Sequence, residues 1–261
     1  MKDGSHAFPP RSSPILAAIA TGLAAASAVC LGALHVLSPE LDPSWHMVSE
    51  YAYGAHGQLL RAFFLCWGTA AVALALAVFP WSTRWWQRLG AVLLLVSGAG
   101  AVGGGLFDIR HELHGLAFGL GVPTLPISAL LLTGLLAQHA PERRPVLRIS
   151  AHATWLSVVA MGVSMGFFIA SLKAAGAFHP ESGQVLEVLP AGVTSVSGYA
   201  NRLLVLAYLG WLAIAGAALR HARVSAPTPA AAAPGSIASN AITSERRAGA
   251  EAQHASTIST S

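Results

Sequence analysis

Residues 107–115 read Phe107-Asp108-Ile109-Arg110-His111-Glu112-Leu113-His114-Gly115, with five titratable side chains in seven positions. Apolar sequence runs up to Phe107 and resumes at about His114. An ionised group in hydrocarbon costs roughly 2.5–3.5 kcal/mol on insertion scales. The knot therefore belongs at a membrane surface or in a polar cavity, and its apolar flanks are read as two membrane spans joined by a turn.

Working outward, the same alternation repeats along the chain. Pro14 to Leu37 is an apolar run of 24 residues, about 36 Å as a helix and enough to cross a hydrocarbon core of roughly 30 Å. A basic lead and Ala26-Ser27-Ala28 give its start the look of a signal peptide, but the apolar run continues past that point. Further spans are expected at about 59–79, 89–107, 114–137, 149–172 and 199–219. The whole is 54% hydrophobic and only 10% charged, against roughly 25% charged in a soluble domain. The expected fold class is an all-α integral membrane protein, a six-transmembrane-helix bundle. Residues 1–13 are read as a disordered lead, 14–221 as the membrane domain, and the Ala/Pro/Ser/Thr-rich 222–261 as a disordered tail.

Basic residues set the orientation. Lys2, Arg11, Arg84, Arg88, Arg143, Arg144, Arg148, Arg220 and Arg223 flank one side, and Arg61, Arg110, Lys173 and Arg202 the other. Nine against four places both termini in the cytoplasm, and the location expected is a bacterial inner (plasma) membrane, multi-pass. Glu40, Asp42, Glu50, Asp108, Glu112, Glu181 and Glu187 fall on the opposite, outer face, with His46, His56, His111, His114 and His179. No basic patch with interleaved aromatics is present, so nucleic acid is not an expected partner; membrane lipids are. Trp45, Tyr51 and Tyr53 suit the headgroup region. Gly100 and Gly104 form a G-x-x-x-G pair, read either as packing or as a homo-oligomer contact through the glycine-rich third span. Pro123 and Pro126 are expected to kink the fourth. Cys30 and Cys66 lie inside apolar segments and are read as buried free thiols.

The outer face supplies the site candidates. Ser49, Glu50, Arg61, Asp108, His114 and Arg202 are read as lining a substrate or lipid-binding site. Arg61 and Arg202 suit bidentate contact with an anionic headgroup, or snorkelling toward lipid phosphates. The plainer reading of Ser49 and Glu50 is a helix N-cap at Ser49 or an ion pair from Glu50 to Arg61 or Arg202. Glu50, Asp108 and His114 are the candidate catalytic acid/base groups. Asp108, His111 and His114 are three conceivable zinc ligands, but His111-Glu112-Leu113-His114 is one residue short of H-E-x-x-H. No cofactor is expected. His152 has no evident partner.

The order and spacing of several short motifs resemble a known family. Ser49-Glu50-Tyr51-Ala52-Tyr53-Gly54, Gly105-Leu106-Phe107-Asp108, His114-Gly115-Leu116 and the stretch from Arg202 to Trp211 are similar to the bacterial and archaeal six-span family called domain of unknown function nine-nine-eight. The likeness covers roughly residues 15–220. The chain departs from the family pattern in its crowded His111-Glu112 and in lacking a proline before the acidic residue after span three. The resemblance implies a six-span fold and a membrane location, and no reaction. Ser49-Glu50 is also faintly similar to the Frag1/DRAM group of six-span proteins. Three functions stay open: an outward-facing polar site for a lipid headgroup or small polar solute, an intramembrane lipid hydrolase or transferase, and a structural or accessory membrane protein.

Overall fold

Hydrocarbon offers the backbone no hydrogen-bond partner, so an apolar chain of this kind crosses as helices that satisfy their own amides. The computed structural model describes residues 12–178 and 188–224 and contains six such helices: α1 (Ser12–Leu37), α2 (Gly57–Val78), α3 (Trp85–Leu106), α4 (Leu113–His139), α5 (Arg144–Ala174) and α6 (Ser197–Val224). All six are long and apolar enough to cross a membrane. Each expected span is found, and most helices run a few residues past the expected ends. The extensions are polar and basic segments that hydropathy alone does not count, such as Trp85-Trp86-Gln87-Arg88 at the start of α3. The leading residues, His179, Glu181 and Glu187, and the tail beyond Val224 lie outside the described residues.

Consecutive helices pack in sequence, and α6 closes the ring on α1 while also touching α2 and α4. It is the central element: Leu204, Tyr208, Trp211, Leu212 and Ala215 are all buried. Six spans place both ends of the membrane domain on one side, with the turns 79–84 and 140–143. Loop 38–56, turn 107–112 and the α5–α6 connection lie at the opposite end.

Small residues set the closest approaches. A Cβ on Gly100 would stand 2.5 Å from the Gly121 backbone nitrogen of α4, and one on Gly98 2.9 Å from the Gly68 carbonyl of α2. Gly104 faces Phe64 of α2. The G-x-x-x-G pair is thus divided between two neighbours inside the chain.

Serines fasten the bundle across helices: Ser27 Oγ donates to the Phe63 carbonyl (2.9 Å), Ser97 Oγ to Gly121 (2.8 Å) and Ser128 Oγ to Gly90 (2.8 Å). The prolines leave α4 as one continuous helix. Pro126 removes the amide that would bond the Val122 carbonyl. Tyr208 of α6 donates its hydroxyl to that carbonyl at 2.6 Å. The neighbouring helix thus supplies the donor the proline lacks.

Candidate functional site

Loop 38–56 folds into a plug over the bundle. Asp42 Oδ1 accepts the Ser44 N–H at 2.8 Å, closing a tight turn; that bond holds the Asp42 carboxyl below the ordinary carboxylate range. A 3-10 helix follows at Val48–Tyr53. Trp45, His46, Val48 and Tyr51 are buried. Of the three aromatic residues expected at headgroup level, Trp45 and Tyr51 are buried within the protein and Tyr53 is exposed.

Arg202, in the first turns of α6, pins the plug. It is only 7% exposed. Its Nε donates to His35 Nε2 (2.6 Å), Nη1 to the carbonyls of His46 (2.6 Å) and Gly198 (3.0 Å), and Nη2 to the Tyr51 hydroxyl (3.1 Å). His35 Nδ1 lies 2.7 Å from the Leu31 carbonyl. A carbonyl only accepts, so Nδ1 carries the proton and Nε2 offers its lone pair to the arginine. Among the described residues no carboxylate lies within salt-bridge distance of Arg202. Its charge is met by neutral acceptors from α1, the plug and α6.

Glu50 is held elsewhere. It accepts from His46 Nδ1 at 3.0 Å and from the Met47 N–H at 2.6 Å. The second contact is a side chain three residues into a helix reaching back to the capping amide. The expected ion pair with Arg61 or Arg202 is thus replaced by the adjacent imidazole, and Met47, not Ser49, occupies the cap position. Asn201 Oδ1 accepts the Val48 N–H (2.9 Å) and the Gly198 N–H bonds the Ser44 carbonyl (3.0 Å). Position 198 admits only glycine, since a Cβ would stand 2.5 Å from the Pro43 carbonyl.

Beneath the plug lies a cavity of about 180 Å³. Phe64, Trp67, Gly100, Gly104, Ala117, Gly121, Met161, Met165, Leu204 and Val205 build apolar walls from α2 to α6. The polar side chains Ser49, Asn201 and His114 come from the plug end, and the indole N–H of the lining Trp67, midway along α2, is buried without a partner among the described residues. His114 Nδ1 donates to the Phe107 carbonyl (2.9 Å), leaving Nε2 without a partner among the described residues.

Arg61 and Asp108 line a separate cleft of about 120 Å³ with Gln58, Gly105 and Arg110. Arg61 Nε caps the end of α3 by donating to the Gly105 carbonyl at 3.2 Å. Arg110 grips Asp108 through Nη2 (2.6 Å), Nε (3.2 Å) and its backbone N–H (3.0 Å). Those bonds hold the Asp108 carboxyl below its usual range. His111 Nδ1 accepts the Leu113 N–H at 3.1 Å. Asp108, His111 and His114 are thus each tied to a different partner, and among the described residues no three His, Cys, Asp or Glu side chains gather as a metal group.

The six candidate residues therefore fall into three pairs around one end of the bundle: Glu50 in the plug with Arg202 of α6 beneath it, Ser49 and His114 at the cavity, Arg61 and Asp108 in the separate cleft. No one cavity takes all six. His35, Tyr51 and Asn201 are additional members. Their signal in the sequence was only their position near span ends.

An all-α bundle of six helices, each long and apolar enough to cross a membrane, defines a multi-pass membrane protein. A family model described as "Protein of unknown function (DUF998)" matches residues 18–218, and the chain belongs to that family. No curated protein and no solved structure matches it.

Proposed function

We propose that this protein is an amphiphile-binding protein of the bacterial plasma membrane, with its cavity facing outward. The apolar part of the ligand sits in the 180 Å³ cavity, and its polar group meets Ser49, Asn201 and His114. The observation that carries this reading is the lining: largely apolar walls with a hydroxyl, an amide and an imidazole supplied from one end. An apolar cavity of roughly 150 Å³ in a soluble protein takes up benzene. The volume here accordingly suits a short length of acyl or isoprenoid chain, and the ligand's remainder would lie in the bilayer. A lipid headgroup fits the rim better than a free polar solute does, because a solute without an apolar portion gains nothing from the walls.

Val205→Phe on α6 tests this by filling the cavity. Native mass spectrometry of the protein released from detergent should show a retained amphiphile in the wild type and its loss in the variant, with equal helicity by circular dichroism. Equal retention by both would overturn the reading.

One observation favours a second reading, acyl hydrolysis. Ser49 and His114, whose Nε2 has no partner among the described residues, line the same cavity; a hydroxyl and a general base are the residue types that nucleophilic catalysis uses, and they would have to close to hydrogen-bond distance with substrate bound. The two readings separate on His114→Ala. Binding without turnover predicts retention of the amphiphile unaltered in mass, whereas hydrolysis predicts intact ester accumulating in the variant alone.

A further inference from the structure

The opposite end of the bundle, where α1 begins and α6 ends, carries a second and larger recess. Pro141–Arg143 turns the chain from α4 into α5, and Arg144, Arg148 and His152 then follow at four-residue intervals on one face of α5. That face looks across a groove of about 550 Å³ at Leu130, Thr133, Gly134, Ala137 and Gln138, one face of α4. The α4 side of the groove is low. Gly134 is so open that an added Cβ would meet nothing within 4 Å.

The groove is polarised along its length. Arg144, Arg148 and Gln138 stand at the mouth. Leu130, Gly134 and Ala151 form the deep end. Eight residues of α4 separate Gln138 from Leu130, about 12 Å along the axis, so the groove reaches from headgroup level into hydrocarbon. Both arginines are exposed, and among the described residues neither makes a salt bridge. The nearby Glu142 is 3.9 Å from Arg143 instead. Two like charges four apart on one helix face repel each other, and nothing in the groove offsets them. At the deep end His152 does have a partner, contrary to expectation: Trp155 Nε1–H donates to its Nδ1 at 2.9 Å. With Nδ1 accepting, the neutral ring carries its proton on Nε2 and presents a third donor to the groove.

We infer that this groove binds the phosphate of a membrane phospholipid, with Arg144 and Arg148 on the phosphate oxygens, His152 Nε2–H bonding the ester region, and the first part of an acyl chain along Leu130 and Gly134. Planar guanidinium forks match phosphate oxygens bidentately. Basic pockets between spans on the cytoplasmic side are the general form of such sites. Free phosphate would use the same arginines. The apolar deep end favours the lipid, because inorganic phosphate would leave it unfilled. This site is separate from the cavity beneath the plug and stands or falls independently of it.

The test measures binding of phosphatidylglycerol to the full chain in detergent, by native mass spectrometry and by the rise in unfolding midpoint. Arg144→Gln with Arg148→Gln should weaken binding at least tenfold. Arg84→Gln with Arg220→Gln removes the same charge from the same end outside the groove, and should change it less than twofold. Gly134→Leu keeps both arginines but fills the groove, and should also weaken binding about tenfold. Inorganic phosphate at equal concentration should give no protection. Equal losses from the two arginine pairs, full binding by Gly134→Leu, or equal protection by inorganic phosphate would each overturn the assignment.

Discussion

Arg202 is a cation buried among neutral acceptors, and its removal strands them. In Arg202→Met the aliphatic volume is kept, but the His46 carbonyl and His35 Nε2 lose their donor. Buried unpaired acceptors cost roughly 1–3 kcal/mol each, so a loss of about 3 kcal/mol is expected, read as a lower thermal midpoint in detergent and faster proteolysis of loop 38–56. Arg202→Lys keeps the charge but cannot span four acceptors from three elements, and should recover only part of the loss. Asp108, like Asp42, contributes pH dependence. Its carboxyl is held below the ordinary range by Arg110. A depressed folded-state value stabilises above the unfolded value, near 3.9, and that contribution disappears as pH falls through the folded value. Asp108→Asn should therefore be slightly less stable than wild type at pH 7, with the difference shrinking as pH falls below the unfolded value and vanishing below the folded one, in paired unfolding curves. The residue types at these positions were legible in the sequence, because charge beside a span is conspicuous. Their partners were not. Arg202 bonds two backbone carbonyls, and a carbonyl leaves no trace in sequence.

At the scale of the helix, α4 shows how a proline is accommodated in a span. Tyr208 donates to the carbonyl that Pro126 leaves open. Tyr208→Phe removes one hydroxyl from an otherwise unchanged packing site and should cost about 1–3 kcal/mol. A loss under about 0.5 kcal/mol in unfolding by denaturant would show that water or another group serves that carbonyl. The six spans were legible because hydrocarbon requires about 20 apolar residues per crossing. Their ends were less so: Gln87 Oε1 accepts both the Thr83 and Arg84 N–H groups at 3.0 Å and starts α3 earlier than hydropathy alone implies. The glycine spacing in α3 announced close approach without naming the neighbour. Gly100 turned out to face α4 and Gly104 to face α2.

Across the whole molecule, polar chemistry is gathered at the two ends and the middle is closed by small residues and aromatic rings. The plug, pinned through Arg202 and Asn201, roofs an apolar cavity and supplies its Ser49 rim. That recess arises from five helices packing around glycine faces, which is a property of the assembled bundle and not of any one stretch. The most direct test uses a phospholipid carrying a diazirine in its acyl chain, photolysed with the protein in bilayers and mapped by peptide mass spectrometry. Insertion into Phe64, Met161, Met165 and Val205 is the predicted result, reduced in Val205→Phe. Labelling confined to membrane-facing positions such as Leu116, Val163 and Phe167, which are exposed on the outside of the bundle, would contradict it.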